Sequence, residues 1–145
     1  MASRVWFGVV PLVSLVIASC SSKPVGEPHA KVTPVFGVVH VDGQPVSGLI
    51  VECHPESGSS KLKLPIITRT DIKAKFCFTT YNYCDGLPEG TYKIAFKWQT
   101  PLSGQKDQLN GKYADPKASK YTVTIADGKP QDLGTIELSA KGSAK

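Results

Sequence analysis

The chain has 145 residues and a formal net charge of +5 at neutral pH, from 17 lysines and arginines against 12 acidic side chains. That length fills one domain with its own core and leaves little room for a second. Arginine occurs only at Arg4 and Arg69 and the lysines are scattered, so the basic excess reads as a solvated face, and no nucleic-acid partner is expected.

Arg4 is followed by an apolar run from Val5 to Ile17 and the small residues Ala18 and Ser19. This is the pattern of a secretory signal peptide over residues 1–19; a membrane-spanning helix needs about 20 apolar residues. Ile17-Ala18-Ser19-Cys20 resembles the bacterial lipobox, in which small residues precede a cysteine that takes a diacylglyceryl thioether and becomes the first residue. Lipidation of Cys20 is expected; the alternative is an ordinary signal peptide with a chance cysteine. Residues 20–34 are polar and proline-bearing, and fit a flexible tether between a membrane and a folded domain. The expected location is the bacterial cell envelope, with the protein held by its lipid and facing the periplasm or the cell surface.

From residue 35 onward the pattern has period two, and long helical patterns are absent. A first strand is expected at Phe36–Val41, closed by an Asp42-Gly43 turn, with Pro45 blocking simple continuation of the pairing. Gly48–His54 is the second strand, with Val51 and Cys53 on one face. A third apolar stretch covers Leu62–Thr70. The fourth strand, Lys75–Thr79, puts Phe76 and Phe78 on one side. The loop Asp85–Gly90 leads into the clearest alternation of the chain, where Tyr92, Ile94, Phe96 and Trp98 oppose Lys93, Ala95 and Lys97. That is one buried and one wet face of an antiparallel sheet. After a long polar segment, Lys120–Ile125 and Gly134–Leu138 complete the set, and residues 140–145 form a disordered tail. Seven short strands with such turn signals favour an all-β antiparallel sandwich over residues 35–139, with an open barrel as the alternative.

Apart from Cys20 there are three cysteines, Cys53, Cys77 and Cys84. An exported chain permits disulfides, and an odd number leaves at least one thiol free in a monomer. Cys77 and Cys84 are the nearer pair in sequence, but sequence alone leaves the pairing open.

The segment Gly37-x-Val39-x-Val41-Asp42-Gly43-Gln44-Pro45-Val46 resembles the opening of carboxypeptidase regulatory-like modules, which share the transthyretin-like, or prealbumin-like, sandwich. Thr70-Asp71 with Phe76 and Phe78, and Pro88-Glu89-Gly90-Thr91-Tyr92, are similar to later strands of those modules. Residues 112–119 and the strand after them resemble a short lipoprotein family abundant in planctomycetes. The resemblance covers residues 35–138 and implies a seven-stranded Greek-key sandwich. One departure is Ala74, which stands in the turn after Thr-Asp where the family usually carries glycine. The same architecture hosts hydroxyisourate hydrolase, whose paired histidines and arginine find no counterpart in His29, His40 and His54.

Candidate chemistry is sparse. His40, Cys53 and His54 are zinc-ligand types. A hairpin about residues 42–47 would pair His40 near residue 48 and place His54 roughly 20 Å away, and Cys53 and His54 point to opposite faces. No metal or cofactor is expected. Cys77 has no histidine near it in sequence, so no cysteine nucleophile is expected. Asp42, Asp71 and Asp85 sit in turns, where aspartate has structural uses. The segment 99–119 is long for a loop and carries Tyr113 beside Lys112 and Asp115. Tyr113 either stacks on a sugar or closes one end of the sandwich. The first functional reading is a non-catalytic structural or protein-interaction module of the envelope. The second is a carbohydrate- or small-ligand-binding lipoprotein, which an exposed set of aromatics on one face would favour. A hydrolase is the third.

Overall fold

The computed structural model describes residues 29–126 and 128–141. The expected signal peptide, Cys20 and most of the expected tether lie outside the described residues, as do the last four positions of the tail. Among the described residues the regular elements are strands and two short 3-10 turns. In chain order the strands are β1 (Val32–Thr33), β2 (Val35–Val41), β3 (Gln44–Pro45), β4 (Ile50–Pro55), β5 (Ile66–Arg69) and β6 (Lys75–Cys77), then β7 (Leu87–Pro88), β8 (Gly90–Lys97), β9 (Thr122–Ile125) and β10 (Gln131–Leu138). The 3-10 turns are Pro101–Ser103 and Pro116–Ala118.

The strands form two four-stranded sheets and one two-stranded ribbon. In the first sheet β10 runs along one edge of β2, while β6 and β3 pair with successive parts of its other edge. The second sheet has the order β5-β4-β8-β9 and is antiparallel throughout. The ribbon joins β1 to β7. One hydrophobic cluster unites the inward residues of both sheets, including Val39, Phe76 and Ile136 from the first and Val51, Phe96 and Ile125 from the second. The arrangement is that of a β-sandwich.

The central stripe of β8 follows the alternation: Tyr92, Ile94 and Phe96 are buried. Burying these large side chains is the main stabilising contribution of the strand. The Tyr92 hydroxyl donates to the Pro88 carbonyl at 2.8 Å, so this buried phenol is satisfied four residues back along its own chain. Gly90 has φ +147°, and a Cβ there would lie 2.6 Å from the Ser59 carbonyl oxygen. Only glycine fits that approach. The opposite face of β8 is less wet than expected, because Ala95 is also buried. Its small side chain lies opposite Glu52 in the middle of the sheet, and the Pro116–Ala118 turn packs on the same strand.

Three expectations are corrected. First, the strands are not all antiparallel: β10 runs parallel to β2, from Gln131 beside Val35 to Leu138 beside Val41. A parallel pair needs a crossover, and here nearly the whole domain lies between the two strands. Alternation along a strand carries no information on a partner's direction. Second, β2 and β4 are not a hairpin. Asp42 and Gly43, at φ 50° and 78°, make a two-residue turn that pairs His40 with Pro45. The chain then leaves for the other sheet, so β4 never pairs with β2. Third, the fixed chain starts before residue 35. Val32 and Thr33, read as tether, pair with β7, and Thr33 is buried.

Candidate binding groove

Cys77 and Cys84 form a disulfide. The pattern of β6 accounts for it: Phe76 and Phe78 point into the core, so Cys77 points out, with its Cα 5.3 Å from that of Cys84. That separation lies within disulfide reach. Cys53 is the free thiol; it is buried, and desolvation pushes its pKa far up. A thiol so held is a poor nucleophile.

The disulfide closes a short loop organised by one carboxylate. Asp85 accepts the backbone N–H groups of Thr80, Tyr81 and Asn82 at 2.7, 3.0 and 2.7 Å. Partial burial pushes the Asp85 carboxyl up, but these donors outweigh it and hold the pKa below the usual value. The Thr79 hydroxyl accepts from Cys84 N, and the Thr80 hydroxyl donates to Gly86 O. With its backbone tied at so many points, the loop holds the Tyr83 ring in solvent at 90% exposure.

Phe36 is the second exposed aromatic on this side. The pleat of β2 turns Val35, Val39 and Val41 inward and therefore Phe36 outward. Phe36 and Tyr83 border an open groove of about 520 Å³ that runs from β2 and β6 towards β5. Arg69, Asp71, Lys75 and Asp132 supply its charged groups. Asp71 Oδ1 accepts from Lys73 N at 2.7 Å and Lys75 N at 2.9 Å; the Lys75 N–H in particular holds the carboxyl below its usual pKa. Asp132 Oδ1 accepts from Gly134 N at 2.8 Å. Arg69 Nη1 donates to Gly48 O at 3.1 Å. The Asp71 turn contains Ala74, buried and at φ 60°. The turn keeps the left-handed conformation that glycine adopts without strain, and alanine tolerates it here.

The other sequence candidates lie elsewhere and do not converge. His40 pairs with Glu137 at 3.0 Å on the outside of the first sheet. His54 pairs with Glu52 at 3.0 Å on the outside of the second, where Lys97 also reaches Glu52 at 2.7 Å. Burial pushes Glu52 up, yet the bonds from Lys97 and His54 prevail and its pKa is lowered. Cys53 lies inside the sandwich. Among the described residues no three metal-ligating side chains come together. Asp42 accepts from the Ser139 hydroxyl, a structural tie between the first turn and the last strand.

Tyr113 closes the sandwich. Its hydroxyl accepts from Ser139 N at 3.0 Å, its carbonyl accepts from Phe96 N, and its ring packs against the core. Lys112 lies over that ring, and Asp115 caps the Pro116–Ala118 turn by accepting from Lys117 N. The segment 99–119 is therefore mostly wall. The groove residues Phe36, Arg69, Tyr83 and Asp132 were not singled out in the sequence. Its one legible signal is the run Tyr81-Asn82-Tyr83, which places two aromatics in the short span between two cysteines.

No protein-family model matches the chain, and no curated protein sequence does. Among solved structures it is similar to a 9R-lipoxygenase from Cyanothece PCC8801, at 11% identity and a TM-score of 0.37, over 74% of this chain and 16% of that one. It is also similar to the dioxygenase domain of a dioxygenase carbohydrate-binding protein fusion from the cellulolytic bacterium Streptomyces sp. SirexAA-E, at 14% identity and a TM-score of 0.36, over 81% of this chain and 93% of that one. The chain spans only a small part of the lipoxygenase. At these TM-scores neither likeness bears on function.

Proposed function

We propose that the protein is a non-catalytic recognition module of the bacterial cell envelope, exported by residues 1–19 and anchored to the membrane by a lipid on Cys20. The observation that carries the recognition role is the pair of exposed rings, Phe36 and Tyr83, held on rigid backbone around one groove. Large apolar groups left in water on a fixed frame are the usual anchors of a binding surface, because little ordering entropy is lost when a partner covers them. The lipobox supports the anchor, and a disulfide suits an oxidising compartment outside the cytosol. The non-catalytic reading draws support from the dispersed histidines and the inert Cys53. The finer fold we infer is the seven-stranded Greek-key, transthyretin-like sandwich; its support is the sequence resemblance over residues 35–138.

The test uses a photo-cross-linking amino acid in intact bacteria, at position 83 and, as a control, at the exposed position 124 of β9. Adducts with an envelope component at 83 and none at 124 are expected. Equal labelling at both positions, or none at 83, refutes the recognition role. Lipid labelling with Cys20→Ser tests the anchor separately: the variant loses the label and leaves the membrane fraction. An unmodified Cys20 in membrane-bound protein disproves the anchor.

A further inference from the structure

We propose that the groove between Phe36 and Tyr83 binds a neutral oligosaccharide, with one sugar ring stacked on an aromatic face and its hydroxyls bonded to Asp71, Asp132 and Arg69. This rests on the recognition role above and names the ligand class of the same site.

Three features select that class. The first is charge. Arg69 and Lys75 bring two positive charges to the groove, and Asp71 and Asp132 bring two negative ones. The charges balance, so an anionic polymer gains no net attraction and meets two carboxylates, and a cationic one meets two cations. The second is hydrogen-bond chemistry. Each carboxylate has Oδ1 engaged by backbone N–H groups, and among the described residues no hydrogen bond reaches Oδ2 of either. An ionised carboxylate only accepts, and a guanidinium only donates. A sugar hydroxyl does both and so satisfies each of them. A purely apolar ligand would strip these groups of water and leave them unpaired, at a cost that opposes binding. The third is shape and surface. The C–H face of a pyranose ring carries slight positive charge and suits the negative face of a phenyl or phenol ring. Phe36 offers its ring from a strand and Tyr83 from the disulfide-closed loop, so both are in place before the ligand arrives. The groove volume, about 520 Å³, falls within the range of small-ligand sites, about 300–1,000 Å³.

The test is isothermal titration calorimetry on the full-length chain in detergent, with cellohexaose, the N-acetylglucosamine hexamer and maltohexaose as neutral probes and a galacturonic acid hexamer as the anionic one. At least one neutral probe binds saturably at concentrations up to about 10 mM. Tyr83→Ala then weakens that binding about tenfold or more, and Tyr83→Phe, which keeps the stacking face, stays within about threefold of wild type. Tyr113→Phe, outside the groove, leaves affinity unchanged. Because Tyr83 is almost wholly exposed, its loss does not disturb folding, which circular dichroism verifies. Saturable binding by none of the three neutral probes overturns the proposal. So does tighter binding of the galacturonic acid hexamer than of every neutral probe, or full affinity in Tyr83→Ala. A protein adduct at position 83 with all sugars silent rejects the sugar and leaves the recognition role standing; silence in both experiments removes both.

Discussion

Two loops of this domain use the same device for opposite ends. In one, the Asp85 carboxylate gathers the N–H groups of Thr80, Tyr81 and Asn82. In the other, the Asp107 carboxylate gathers those of Trp98, Leu109 and Gly111. Both are therefore rigid, and both carry tyrosines nearby. The Asp107 segment turns its apolar groups inward: Leu109 is 1% exposed and Tyr113 packs on the core. The Asp85 loop holds Tyr83 outward. Rigidity and aromatic content thus do not mark a binding loop; the direction in which the ring leaves the frame does. A disulfide reinforces only the displaying loop, which has no buried side chain like Leu109 to hold it down.

Leu109→Ala should have the largest effect, destabilising the domain by about 2–5 kcal/mol in urea titration, as for other buried leucines. A loss under about 1 kcal/mol would mean that the 99–119 segment is not part of the core. Next comes the staple. Replacing Cys77 and Cys84 together by serine should cost roughly 2–3 kcal/mol, the chain-entropy value for so short a loop. Unchanged stability would show that Asp85 alone holds the loop.

Asp85→Asn should cost about 1 kcal/mol at neutral pH, a charge-assisted bond discounted for the carboxyl's exposure. Its pKa is lowered by folding, so its contribution is present above the unfolded-state value near 4 and is lost as pH falls through the lower folded value. The acid limb of wild-type stability should therefore be steeper than that of Asp85→Asn. Parallel limbs in the two proteins would contradict the assignment. The smallest effect belongs to Tyr83→Ala, below about 0.5 kcal/mol, measured in the same urea titrations as Leu109→Ala. A loss comparable to that of Leu109→Ala would make the two loops alike and dissolve the contrast.

The longer strands were legible because burial imposes a local period. Val35 to Val41, Tyr92 to Phe96, and Ile136 with Leu138 alternate between a core and an outer face, and a side chain's face follows from its position alone. Asp42-Gly43 and Gly90 were legible because few residues adopt positive φ at low cost. The Cys77–Cys84 bond, the parallel course of β10 and the outward Tyr83 obey no such local rule. Each depends on how the chain packs around it: the loop after β6 folds back to bring Cys84 beside the outward Cys77, β10 enters alongside the start of β2, and no core lies next to Tyr83. Periodicity and backbone angles belong to a few residues at a time, so the chain's own order determined its longer strands and its tight turns, while the short β1–β7 ribbon appeared only in the packed structure. Partner, direction and exposure belong to the packed whole, and the groove with its two rings arose only where β2, β5, β6 and the stapled loop met.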